Sequence, residues 1–215
     1  MIKQELLDIY DDQDRHLGVC ERSEVHRLGH WHHTFHCWLV RDTPEGRMLI
    51  FQRRHPGKDT FPDLYDITAA GHLSAGETVQ QAAREIQEEL GLPLTFAQLT
   101  PLFVLRDESQ GETMHGTFID REVSSVFGAF SDRELYEYTL QDDEVSGIYE
   151  ARLDEMTELF AGQRDHVQAR GVHNAPVMQH NDVFDISVTI ADFVPHQPGY
   201  CIKTFSLLQQ LTPSK

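Results

Sequence analysis

The stretch "GHLSAGETVQQAAREIQEELGL", residues 71–92, decides the reading of this chain. Thr78 followed by Gln81 has capping-box spacing, and Gly91 falls where a helix end favours a residue free to take positive φ. Between them Val79, Ala82, Ala83, Ile86 and Leu90 recur at helical spacing as one apolar stripe, which predicts a helix beginning at Thr78. On that helix Glu85 and Glu89 are one turn apart and Glu88 lies beside them, so three carboxylates project from neighbouring positions. Like charges so placed cost only about 0.2–0.5 kcal/mol per pair, and a solvated face with Arg84 paired to Glu88 would tolerate that. Position favours a ligand instead. The helix follows a strand and a glycine-containing loop, where backbone can approach closely, and clustered carboxylates suit hard cations such as Mg²⁺.

Outward from the helix the chain is rich in strands. "WHHTFHCWLV" and "RMLIFQRR" flank the turn "DTPEG" as a central hairpin, and "LYDITAA" reads as a strand running into Gly71. Residues 5–10 and 16–20 form a weaker hairpin around "DDQD". Further strands are expected at 101–105, 117–120, 123–130 and 147–152, then a helix near 154–161. Strands with few, interspersed helices give an α/β or α+β layered sandwich. In the last fifty residues "QRDHVQARGVHNAPVMQHND" is polar and unpatterned, while "YCIKTFSLLQQL" reads as a closing amphipathic helix. The expected division is a domain over 1–160, including the N-terminal hairpin, and a C-terminal extension over 161–215 packed on it.

A formal net charge of −17 over 215 residues argues against a nucleic-acid surface, because phosphate backbones are held by clustered Lys and Arg. No apolar run reaches the ~20 residues of a membrane-spanning helix. Cys20, Cys37 and Cys201 are an odd number at spacings that fit neither a zinc ribbon nor a redox pair. A reduced, cytoplasmic setting follows as the expectation. Monomer and homodimer are both compatible with the sequence.

Residues 71–92 resemble the Nudix box, GX5EX7REUXEEXGU with U apolar: Gly71, Glu77, Arg84, Glu85, Ile86, Glu88, Glu89, Gly91 and Leu92 match. One residue is missing, since six rather than seven separate Glu77 from Arg84. The resemblance implies an α/β/α sandwich with a mixed β-sheet. It implies a site in which Glu85, Glu88, Glu89 and the Gly71 carbonyl hold Mg²⁺ or Mn²⁺, and Arg84 orients the carboxylates.

Over roughly residues 4–160 the chain is also similar to the type I isopentenyl-diphosphate isomerases and the isomerase-like Nudix hydrolases. "RRHPGKDTFPDLYD" resembles the isomerases' diphosphate-binding loop, which makes Arg53, Arg54 and Lys58 candidates for substrate binding. "WHHTFHCWL", Gly71-His72 and "DREVSSVF" match segments that carry metal ligands there. By that match His26, His32, His72, Asp120 and Glu122 are candidates for a second metal site, while His30, His33 and His36 are read as structural. Ala70 stands where the isomerases have a catalytic Cys, and the charged box they have largely lost is retained here.

The expected activity is therefore metal-dependent hydrolysis of the diphosphate in a nucleoside diphosphate linked to another group X. Glu88, Glu89, Glu122 or Glu144 would accept the proton of the attacking water. Isopentenyl-diphosphate isomerisation and non-catalytic nucleotide binding are the alternatives. Pocket loops that select X are expected to include residues 106–117 and the last fifty.

Overall fold

The computed structural model describes residues 5–113 and 116–212. Its hub is β3 (Trp31–Thr43), the apolar and aromatic run whose side chains alternate between two cores. Phe35, Cys37 and Leu39 face one core, and Trp38 and Val40 face the other. The turn at residues 44–45 returns the chain in β4 (Gly46–Arg54), as the sequence predicts. On its other edge β3 pairs in parallel with β8 (Gly116–Phe130), which forms an antiparallel ribbon with β7 (Thr100–Thr113). β5 (Tyr65–Asp66) pairs with β4, and β6 (Ala69–His72) pairs with β3, so "LYDITAA" is two short strands rather than one. The N-terminal hairpin, β1 (Leu6–Tyr10) and β2 (His16–Glu21), leads into α1 (Arg22–Leu28).

Helices cover both faces of this mixed sheet. α2 (Arg84–Leu90) sends Ile86 and Leu90 into the core with Phe35, Ile50 and Phe127. On the opposite face α3 (Leu153–Phe160) and α4 (Tyr200–Gln209) supply Met156, Leu159, Phe205 and Leu208 against Trp38 and Phe51. The result is an α/β/α sandwich.

Three expectations need correction. The capping-box contacts at Thr78 and Gln81 are present, but regular helix starts only at Arg84. Residues 79–83, where the box is one residue short, form tight turns, with the Gln81 and Arg84 amides donating to carbonyls three residues back. Second, the strands expected at 117–120 and 123–130 are one strand, and 106–113 and 116–117 are ribbon rather than loop; residues 114–115 lie outside the described residues, as do 1–4 and 213–215.

Third, the unpatterned segment after 160 holds β10 (Val167–His173) and β11 (Phe184–Val188), which continue the sheet beyond β9 (Val145–Arg152) in the order β4-β9-β10-β11. β10 escapes a hydropathy reading because small residues occupy its inward positions. Gly171 packs on the ring of Tyr149, where a Cβ would come within 2.0 Å of Cδ1. Among the described residues no helix is long and apolar enough to cross a membrane.

Candidate functional site

The charges of the 71–92 stretch are gathered around Arg84. Its guanidinium makes a bidentate pair with Glu77, Nε to Oε1 at 2.7 Å and Nη2 to Oε2 at 3.0 Å, so the short spacing leaves this pair in place. Nη1 reaches Glu88 at 2.7 Å and Glu85 at 2.9 Å. Glu88 lies outward with its side chain 52 % exposed. Glu85 and Glu89 turn inward. Desolvation is the first cause that pushes Glu85 up to about 7 and Glu89 up to about 8, with neighbouring charges of both signs acting after it. Glu89 Oε2 accepts from the Ala70 amide at 3.3 Å and the Gln52 amide at 3.4 Å. Glu85 lies across Gly71, where a Cβ would fall 2.4 Å from its carboxyl carbon. Only glycine admits that approach.

His72, the next residue along β6, belongs to a second cluster. His26 from α1, His32 from β3 and His72 bring one ring nitrogen each within 4.8 Å of one another, and His32, Asp120 and Glu122 do the same. His32 Nδ1 lies 3.1 Å from the His30 carbonyl, which can only accept, so Nδ1 carries the proton and Nε2 a lone pair. That lone pair faces Asp120 Oδ1 at 3.6 Å and Glu122 Oε1 at 3.9 Å. His26 Nε2 stands 3.5 Å from the same Asp120 oxygen. His26 Nε2, His32 Nε2 and Asp120 Oδ1 are all buried with no hydrogen-bond partner among the described residues. Burial holds His26 near 3 and His32 near 4, hence uncharged, and pushes Glu122 up to about 8. The His32 lone pair aimed at carboxylate oxygens, with His26 Nε2 and Asp120 Oδ1 also buried and unpartnered among the described residues, fits a divalent cation with nitrogen and oxygen ligands. The half-buried Glu85 and the buried Glu89 fit a harder cation with oxygen ligands.

The cations of the 53–58 segment divide. Arg54 is tied into its own loop, donating to the Thr60 carbonyl and to Asp66 Oδ2 at 2.9 Å. Arg53 hydrogen-bonds the Asp63 carbonyl at 3.1 Å and stays near the surface. Lys58 forms an ion pair with Glu144, so the loop cation and the loop acid meet. Desolvation is the first cause that lowers Lys58, and Glu89 is among the charges opposing that shift.

Sequence reasoning missed several neighbours. Glu5 approaches His72 Nδ1 at 3.7 Å and Arg22 at 3.5 Å. Gln52, a lone amide in the run "RMLIFQRR", was legible as an anomaly: it is buried and holds Glu89. His36 shares the β3 face of His32 and Thr34 by simple alternation and approaches Glu122 Oε2 at 3.8 Å. His33 instead stacks on Tyr10 and bonds Asp14 at 2.8 Å.

Comparison with known proteins bears on the family and the fold. A family model for the NUDIX domain matches residues 30–170. An uncharacterised Nudix hydrolase of Clostridium acetobutylicum is 38% identical over 93% of this chain and 94% of its own length. An isopentenyl-diphosphate Delta-isomerase of Photobacterium profundum is 37% identical over 43% of this chain and 52% of its own. The crystal structure of a Deinococcus radiodurans protein superposes with TM-score 0.55 at 20% identity, covering 74% of this chain and 90% of that one, a likeness of fold.

Proposed function

Because this chain belongs to the Nudix family, in a branch shared with proteins named isopentenyl-diphosphate isomerases, we propose that it is a divalent-metal-dependent hydrolase of nucleoside diphosphates linked to another group X. The observation that carries the reading is a pair of inward-turned carboxyls, half-buried Glu85 lying over Gly71 and buried Glu89 bonded to the Ala70 amide. Burying two carboxylates that close is costly without a compensating cation.

In this reading Glu85, Glu88 and Glu89 hold Mg²⁺ or Mn²⁺ together with the Gly71 carbonyl, and His26, His32, His72, Asp120 and Glu122 hold a second ion. Bound cations would neutralise the diphosphate and lower the pKa of the attacking water. Glu89, which Gln52 and the Ala70 amide orient, is the residue in this reading that accepts the proton of that water. Glu88 and Glu144 are answered by Arg84 and Lys58 and suit that role less. Arg84 spaces the carboxylates, and Lys58, with Arg53 beside it, meets the diphosphate once Glu144 yields its pair.

The isomerase reading lacks its thiol: residue 70 is Ala, and its side chain offers no proton. The test is phosphate and nucleotide release from ADP-ribose, nucleotide sugars, CDP-alcohols, dinucleoside polyphosphates, coenzyme A and isopentenyl diphosphate, each with Mg²⁺, Mn²⁺ or chelator. Metal-dependent cleavage of one of them is expected. Tight binding of one with no turnover of any would make the protein a sensor and sink the hydrolase.

A further inference from the structure

Glu122 has two oxygens in two settings. Oε1 faces His32 at 3.9 Å and His72 at 4.0 Å. Oε2 faces away from them, toward the hydroxyls of Thr34 and Ser124, each at 3.3 Å, and toward His36 Nε2 at 3.8 Å. His36 is buried, and its other nitrogen, Nδ1, lies 3.1 Å from the hydroxyl of Tyr200 at the start of α4.

The hydrogen-bond inventory fixes where the protons are. Trp38 Nε1 can only donate, and it does so to the Tyr200 oxygen at 3.0 Å. The Tyr200 hydroxyl is itself buried and must place its own proton. Its one remaining partner among the described residues is His36 Nδ1, which therefore accepts. A proton on Nδ1 would leave two donors facing each other and a buried hydroxyl without an acceptor, a cost of about 1–3 kcal/mol. The neutral His36 ring then carries its hydrogen on Nε2, directed at Glu122.

We propose that His36 is a positioning residue: Tyr200, itself held by Trp38, sets its tautomer, so that the Nε2–H is turned to Glu122 Oε2 across 3.8 Å, an electrostatic contact longer than a hydrogen bond, while Oε1 stays turned to His32 and His72. This rests on the reading of Glu122 as a metal ligand and deepens it, extending the site to a helix at the far end of the chain. Thr34 and Ser124 share the task from β3 and β8.

The test needs no substrate. Long-range proton–nitrogen correlation spectra of the metal-free protein will show His36 with a bare Nδ1 and a protonated Nε2, and Tyr200→Phe will shift that ring toward the other tautomer. Mn²⁺ titration supplies the second readout. His36→Leu should bind Mn²⁺ about 10–100-fold more weakly, the usual cost of losing such a partner. His36→Gln, whose amide nitrogen sits near the Nε2 position, should stay within about 3-fold of wild type, well inside that range.

A protonated Nδ1 in the wild type overturns the proposal. So does a folded His36→Leu protein with wild-type Mn²⁺ affinity, or a Gln variant as weak as the Leu variant. If His36→Leu fails to fold, the wild-type and Tyr200→Phe spectra still decide. Mn²⁺ binding indifferent to His32→Ala would instead remove the ligand assignment underneath, a failure told apart because the tautomer is read without metal.

Discussion

The carboxylate face of α2 and the histidine cluster beside it differ in how their charge is answered. On α2, Arg84 lies against Glu77, Glu85 and Glu88, so much of the negative charge is met inside one short stretch of chain. In the cluster, Asp120 and Glu122 face imidazoles that burial keeps neutral, and three buried polar atoms have no hydrogen-bond partner among the described residues. The first site can fold on its own arginine and exchange those contacts for an ion. If the second binds a cation as proposed, its folding and its loading are the more closely linked.

Glu89→Gln probes the α2 side hardest. Turnover should fall by about 10²–10⁴-fold, the range for a lost general base, with the fold intact by melting. Turnover near wild type would break the assignment. On the other side His32→Ala should weaken Mn²⁺ binding by more than the ~100-fold upper range for outer partners, because it removes a nitrogen aimed into the cluster. Calorimetric titration checks it, and unchanged affinity would leave the orphaned atoms unexplained.

Proton linkage supplies a third probe. Glu85, Glu89 and Glu122 are raised to about 7, 8 and 8 by burial, so above their ordinary value of 4.5 the unfolded chain has released protons that the fold retains. Stability from these groups is complete at low pH and is lost as pH climbs through 7 to 8. The buried His26, His32 and His36, held near 3–4, act in the opposite sense, but their contribution is complete by about pH 6.5. Metal-free protein should therefore melt on the order of 5 °C lower at pH 8 than at pH 6.5, and saturating Mn²⁺ should flatten that slope. A flat metal-free profile would mean that these carboxyls are better solvated than their burial implies.

Glu88→Gln is the mildest probe. An exposed i,i+4 pair contributes about 0.3–0.5 kcal/mol, so melting should move by ~1 °C or so. Any larger loss of turnover then reads the carboxylate itself rather than the helix.

The α2 face was legible because its chemistry is local: a capping pattern, an apolar stripe and four carboxylates within residues 71–92. Even there the helix start was misplaced, since Thr78 and Gln81 make the expected contacts on a turn. The histidine cluster draws on α1, β3, β6 and β8, and only likeness to a family joined its members in advance. His36 was read as structural because nothing near it in sequence names its partner; Tyr200 is 164 residues away. β10 was lost to its small inward residues, Ala169 and Gly171.

That last strand bears on how the gene can be cut. β10 pairs with β9 along Ala169–His173, and α4 covers the apolar side of α3. A truncated product ending at residue 160 would carry a raw strand edge in β9 and a bared apolar surface of Trp38, Met156 and Leu159. Both are aggregation hazards. Expression boundaries, tags and fusion joints therefore belong beyond α4, and a shortened version would be recovered from inclusion bodies rather than from the supernatant.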